Sequence, residues 1–176
     1  KSAGVFNPEK FLWVNTHYPK SKPLAELAEA VKPYIAAKGY SVPTDNRWLE
    51  QVIKTLQERA KTLVQVVEMG HYYFTEEVTI DEKAAQKFLT ACASAPLSVL
   101  LAELSSTQDL TQSNIEQAFA RTLEKCGLKM GELAQPVRVA LTGNTVSPGI
   151  HEVIEVLGKK LTLARLQKAL DRIEAQ

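Results

Sequence analysis

The chain has 176 residues and a mass of 19.5 kDa, 45% hydrophobic and 23% charged, so as one body it would bury roughly 70% of its extended surface, enough for a real core. Twenty-one basic against twenty acidic residues leave a net charge of +1, which by itself nominates no nucleic acid, membrane surface or acidic partner. No apolar run approaches the length of a membrane span, and no charged start leads into a short apolar stretch with a small-residue cleavage site, so a soluble chain without a secretory signal is expected.

Nearly every segment carries a helix start signal, an apolar period near 3.6 and a stop signal, which predicts an all-α fold of about ten short helices with no sheet. Asn7, Pro8 and Glu9 read as an N-cap, a proline at the first helical position and a first-turn acid, opening a helix that Pro19 ends. From Lys22 to Lys38, Leu24, Leu27, Ala28, Val31, Tyr34 and Ile35 recur at helical steps, Pro33 is expected to kink or split the helix, and Gly39 is the left-handed exit. A stripe of Trp48, Leu49, Val52, Ile53 and Leu56 continues past Arg59 as Leu63, Val64 and Val67 into the aromatic cluster Tyr72, Tyr73 and Phe74. Val78, Thr79 and Ile80 are too few β-like residues for a sheet.

The pattern restarts after Ile80 with Asp81 as a cap, inside an acidic patch of Glu76, Glu77, Asp81 and Glu82 that reads as a hinge. Residues 1–80 and 81–176 are therefore expected to be two packed helical subdomains. In the second, helices are predicted over Glu82–Ala93, Pro96–Ser105, Thr111–Cys126 ended by Gly127, Gly131–Leu141 ended by Gly143, Pro148–Leu157 closed by Gly158, and Leu161–Ile173. No heptad persists beyond two or three turns, so these are short packed helices and not a coiled coil.

No GxGxxG, GxxxxGK[ST], HExxH or GxSxG sequence occurs, and His17, His71 and His151 each stand without a carboxylate or thiol at motif spacing. They read as structural or solvated groups, and no catalytic residue and no metal ligand is assigned. Cys92 and Cys126, with no CxxC and no nearby histidine pair, fit a reducing cytoplasmic compartment better than a disulfide framework or a zinc site.

What stands out is Gln135-Pro136-Val137-Arg138-Val139-Ala140-Leu141-Thr142-Gly143, then Ser147-Pro148-Gly149-Ile150 and Leu157-Gly158-Lys159-Lys160. An arginine among apolar helix residues precedes a glycine-containing loop that opens another helix. Residues 125–176 hold eight basic and five acidic residues, whereas 81–124 hold three and six, so positive charge gathers in the C-terminal helices. An arginine fork can hydrogen-bond base edges or phosphates, and a helix start offers backbone N–H groups to an anion. Read without a ligand, the same residues are an arginine snorkelling beside a core helix and an ordinary serine cap with proline after it.

Together with Phe6-Asn7-Pro8-Glu9-Lys10-Phe11-Leu12-Trp13-Val14-Asn15, Glu58-Arg59-Ala60-Lys61-Thr62-Leu63 and Tyr73-Phe74, these stretches give a chain that resembles, over essentially its whole length, the C-terminal part of bacterial glutamyl-tRNA synthetase, a class I aminoacyl-tRNA synthetase. The family's catalytic domain carries HIGH-like and KMSKS-like signatures, and neither is present here. The resemblance therefore implies a C-terminal piece of a longer ligase, inactive alone, without the sites for glutamate and for ATP with Mg, and with no cofactor of its own. It implies a cytoplasmic monomer that holds the anticodon arm of tRNA for glutamate and binds neither DNA nor membranes. Bases of a single-stranded loop can be splayed and read on their exposed edges.

By the same resemblance, Arg138 falls where the family places an anticodon-reading arginine, and Ser147, Pro148 and Ile150 fall on the loop and helix start lining the anticodon pocket. Arg59 matches the family's Glu-Arg-x-Lys-Thr-Leu pattern as an RNA contact, and equally fits a structural ion-pairing residue; Thr62 and Leu63 read as helix packing. Gln57 departs from family members that reject tRNA for glutamine, in which an arginine can occupy about this position; an amide lacks the charged fork, so tRNA for glutamine becomes a second expected partner. Two other classes stay open: a protein-interaction module, favoured if Tyr72, Tyr73 and Phe74 form one exposed patch, and a small enzyme built on one of the histidines.

Overall fold

The computed structural model describes residues 22–176, so the helix predicted between Asn7 and Pro19 lies outside the described residues. The chain divides into two compact units, the first ending at Phe74 and the second running from Thr75 to Gln176. Among the described residues there are eight α-helices, one 3-10 turn and no strand, the all-α class read from the pattern.

In the first unit α1 (Leu24–Ala37) packs on α2 (Asn46–Leu56) and α3 (Leu63–Met69), and a 3-10 turn follows at His71–Tyr73. Asp45 starts α2 by accepting hydrogen bonds from the N–H groups of Arg47 at 2.9 Å and Trp48 at 3.3 Å, satisfying donors that a helix start leaves orphaned. Pro33 does not split α1 as expected. Its missing N–H would have bonded the carbonyl of Glu29 one turn earlier, and both residues are exposed, so water can take that place. The stripe expected to run through Arg59 is also interrupted. The chain leaves the helix at Gln57, and Thr62 starts α3 through a reciprocal cap: its Oγ1 accepts from the Gln65 N–H at 3.1 Å while Gln65 Oε1 accepts from the Lys61 N–H at 2.7 Å. Thr62 is thus a cap and not a packing residue. Leu27, Val31, Ile35, Leu49, Ile53, Leu56 and Val66 fill the core, each such side chain contributing about 1.5–3 kcal/mol when fully buried.

In the second unit Asp81 caps α4 (Glu82–Phe88), its carboxylate accepting from the Ala84 N–H at 2.8 Å. The helix predicted to reach Ala93 stops at Phe88. Leu89 leaves helical geometry (φ −100°, ψ 61°) with its side chain fully buried, Thr90 is extended, and α5 (Ala91–Ser106) departs at 85° to α4. Pro96, predicted to start this helix, lies inside it and is half-buried; the carbonyl it deprives belongs to Cys92, which is exposed. Thr111 and Gly127 bound α6 (Gln112–Cys126) and Gly143 ends α7 (Met130–Thr142), as predicted.

The last helix, α8 (Ile150–Glu174), is broken at Gly158, whose φ of 76° and ψ of 169° suit a residue without Cβ. Helical geometry resumes at once instead of at Leu161, and Lys159 donates to the carbonyls of Ser105 at 2.8 Å and Thr107 at 2.6 Å at the end of α5. α8 packs on α5, α6 and α7, α5 also meets α6 and α7, and α4 rests on α7. No single described helix is long and apolar enough to cross a membrane; α4 and α5 pass that test only as a bent pair, and Leu97, Leu100 and Leu104 of α5 are fully buried in the unit.

Candidate nucleic-acid interface

Arg138 lies one turn before the end of α7 and is half-buried, flanked by Val137 and Val139, which are fully buried. Its Nε donates to Ser147 Oγ, nine positions further along the chain, at 2.9 Å, and that hydroxyl in turn donates to the Pro148 carbonyl at 2.9 Å. Two residues singled out by the sequence are thereby brought together, and the plane of the guanidinium is fixed by a hydroxyl that is only 7% exposed. A third group locks the turn between them. Thr142, fully buried, donates to the Arg138 carbonyl at 2.9 Å and accepts from the Asn144 N–H at 3.3 Å.

Ser147 does not cap α8 as expected; the cap position belongs to Gly149, with no side-chain hydrogen bond. The physical reason is competition for one hydroxyl, because a charged donor such as the Arg138 guanidinium makes a hydrogen bond roughly twice as strong as a neutral N–H. The start of α8 also carries its own carboxylate: Glu152 sits in the first turn with Oε2 against Gly149, 3.0 Å from where a Cβ would stand. That acid answers the positive end of the helix, so attraction for an anion at this loop comes from Arg138 more than from free amides. Asn144, Thr145 and Val146 form the exposed rim, with Val146 the most exposed large apolar side chain among the described residues at 69%. Pro148 and Ile150 are buried, Ile150 to 5% exposure, so they support the rim from below.

Gly143 makes this turn possible. Its φ of 78° is left-handed, and a Cβ there would stand 2.2 Å from the Thr79 carbonyl oxygen. The Asp81 N–H donates to the Gly143 carbonyl at 2.9 Å, so the segment entering α4 lies directly on the turn. Behind it Arg165 of α8, 3% exposed, donates to the carbonyls of Leu141 at 2.6 Å and Thr75 at 2.5 Å. Arg165 was not singled out from the sequence, although it stands in helical phase with Thr162, Leu166, Ala169 and Ile173, a stripe that is buried throughout. A charged residue on a buried stripe is the signal that would have found it.

In the first unit Gln57 is the half-buried C-cap of α2 and Arg59 is exposed on the turn that follows. Tyr72 and Tyr73 are 2% and 3% exposed, and Phe74 stacks on Tyr40 at 5.9 Å, so these aromatics form a core and not the exposed patch an interaction module would need. His71 bonds the Glu68 carbonyl through Nδ1 at 3.1 Å, and the ring of His151 packs edge-on against Phe119 at 4.6 Å. Burial holds the His151 imidazole below its ordinary pKa, opposed in part by Glu116. Among the described residues no group of three or more histidine, cysteine or carboxylate side chains converges as a metal site.

An arginine held through its Nε beside an exposed rim of Asn144, Thr145 and Val146, on a helical scaffold, offers a charged fork and one apolar side chain at the same loop. Residues 26–170 match the anticodon binding domain family, and the chain belongs to that family. Among individual proteins it is similar to glutamate–tRNA ligases. It is 45% identical over 176 residues to that of Syntrophobacter fumaroxidans, covering the whole chain and 37% of the relative. To that of Geotalea uraniireducens it is 46% identical over 170 residues, 97% of the chain and 36% of the relative. The chain spans a little over a third of the length of these relatives. A crystal structure of glutamate–tRNA synthetase from Elizabethkingia anophelis superposes with a TM-score of 0.75 at 26% identity, over 94% of this chain and 32% of that one. One of a glutamate–tRNA ligase from Elizabethkingia meningosepticum gives 0.81 at 24% identity over 96% and 33%, a likeness of fold.

Proposed function

We propose that this chain is the anticodon-holding part of a glutamate–tRNA ligase, the whole enzyme attaching glutamate to its tRNA in an ATP-dependent reaction. The observation that carries the reading is the Arg138–Ser147 hydrogen bond at 2.9 Å beside the exposed 144–146 rim. With its Nε held, the guanidinium meets an incoming base in one orientation, so little rotamer freedom is lost on binding. Val146 offers an apolar surface on which an unstacked base can rest. Pro148 and Ile150 act from beneath, setting the height of the rim.

Partner and specificity follow on the same terms. The ligand is tRNA for glutamate, and the neutral amide of Gln57 with Arg59 nearby on the α2 turn supports contact with a further base under relaxed discrimination, so that tRNA for glutamine is also bound. The chain works as a cytoplasmic monomer with no cofactor of its own; ATP with Mg and glutamate belong to the catalytic part of the parent, and this part alone is inactive. Replacing Arg138 with Ala tests the reading. Affinity for a tRNA transcript with the glutamate anticodon should fall by about 1–3 kcal/mol at fixed salt, the range for a good base contact, with helix content unchanged. Equal affinity of the two proteins for that transcript would remove the assignment.

A further inference from the structure

Arg165 is the one charged side chain that is buried among the described residues. We propose that it is a positioning residue for the Arg138–Ser147 loop, fastening the strap Thr75–Asp81 across the end of α7 so that the base-reading arginine keeps one orientation; the inference rests on the tRNA reading above. Its two terminal nitrogens reach different segments: Nη1 takes the Leu141 carbonyl and Nη2 the Thr75 carbonyl. Leu141 is among the last four residues of α7, whose carbonyls have no intrahelical donor, and it lies three positions beyond Arg138. The guanidinium therefore closes the C-terminal turn that carries Arg138 and anchors one end of the strap in the same act.

The other end is anchored at Gly143, which accepts from the Asp81 N–H and whose missing Cβ is replaced by the Thr79 carbonyl. Between the two anchors Glu77 pairs with Lys168, one turn beyond Arg165 on α8. A planar fork spans two carbonyls in fixed directions, whereas an ammonium offers one compact donor head. Burying a charge is expensive, and an apolar side chain of similar size would often serve stability as well. The arrangement is accounted for by geometry: α7, the strap and the rim share one hydrogen-bonded frame.

The test uses the chain with Arg165→Met, Arg165→Lys and Gly143→Ala, probed with transcripts of the glutamate tRNA carrying the natural anticodon or a changed middle base. For Arg165→Met the affinity ratio between the two transcripts should fall at least fivefold, while affinity for the changed transcript stays within twofold; Arg165→Lys should recover part of the ratio. In parallel, the Arg138 Nε–Hε resonance should shift and the Asp81 amide should exchange at least tenfold faster, with the amides of α6 unchanged. A folded Arg165→Met chain with the wild-type ratio and an unmoved Arg138 resonance overturns the proposal, and if Arg138→Ala loses the ratio in that assay the tRNA reading survives it. Absence of any ratio in the wild type removes both. Should Arg165→Met fail to fold, Arg165→Lys and Gly143→Ala decide by the same readouts, since a Cβ at Gly143 displaces the strap from its other anchor.

Discussion

Replacing Ile150 with Asp sets stability against recognition at the same loop. Ile150 is the first residue of α8 and is 5% exposed, so truncating it forfeits roughly 1.5–3 kcal/mol of apolar burial. An unpaired carboxylate in its place adds a desolvation penalty of about 2–4 kcal/mol after relaxation and partial protonation. The positive end of the helix returns up to about 1 kcal/mol. The balance is a loss of about 2.5–7 kcal/mol, a large fraction of the 5–15 kcal/mol typical of a domain. For a unit near 100 residues, each kcal/mol moves the midpoint by about 4–8 °C, so a fall of at least about 10 °C is expected. Ile150→Val, with about 0.5–1.5 kcal/mol at stake, is the control. Circular dichroism melts alongside tRNA affinity at a temperature where both variants are folded give the answer. A midpoint within 3 °C of wild type together with lost tRNA binding would show that Ile150 faces the RNA and that its burial is misjudged.

Two glycines with the same backbone hand should differ in cost. Gly143→Ala meets both a left-handed φ and the Thr79 carbonyl, and should lower stability by more than about 2 kcal/mol in urea titrations, whereas Gly127→Ala, at φ 66° in open space, should cost only the backbone term of about 1 kcal/mol. His151 predicts a pH dependence: its folded-state pKa lies below the unfolded value near 6.5, so its contribution is fully present above that value and is lost as pH falls through it. His151→Phe should flatten the stability profile between pH 7 and 5; an unchanged slope would mean that other groups set it.

Boundaries governed by a residue's nearest neighbours were legible in the sequence. Asp81, Thr111, Gly127 and Gly143 act through hydrogen bonds or dihedrals within four residues, and all four stand where the pattern put them. The prolines misled for a physical reason. Pro33 and Pro96 sit inside helices at places where the residue one turn earlier, Glu29 or Cys92, is exposed, a fact about packing that local spacing does not carry. That Arg138 and Ser147 belong to one stretch was legible from their closeness along the chain, yet their hydrogen bond was not, because the serine reads as a helix cap and its partner depends on which donor wins. Arg165 was invisible to motif reading, since its partners lie 24 and 90 residues away.

That 90-residue separation has a consequence for how the protein is made. On a ribosome adding roughly 5–20 residues per second, about 5–20 s pass between the synthesis of Thr75 and that of Arg165. Throughout that interval α4 to α7 can emerge and begin to pack while the strap has no arginine to hold it. The frame around the rim is therefore completed only once α8 has left the exit tunnel, and a nascent chain stalled before α8 carries Arg138 on a helix end that Arg165 has not yet closed.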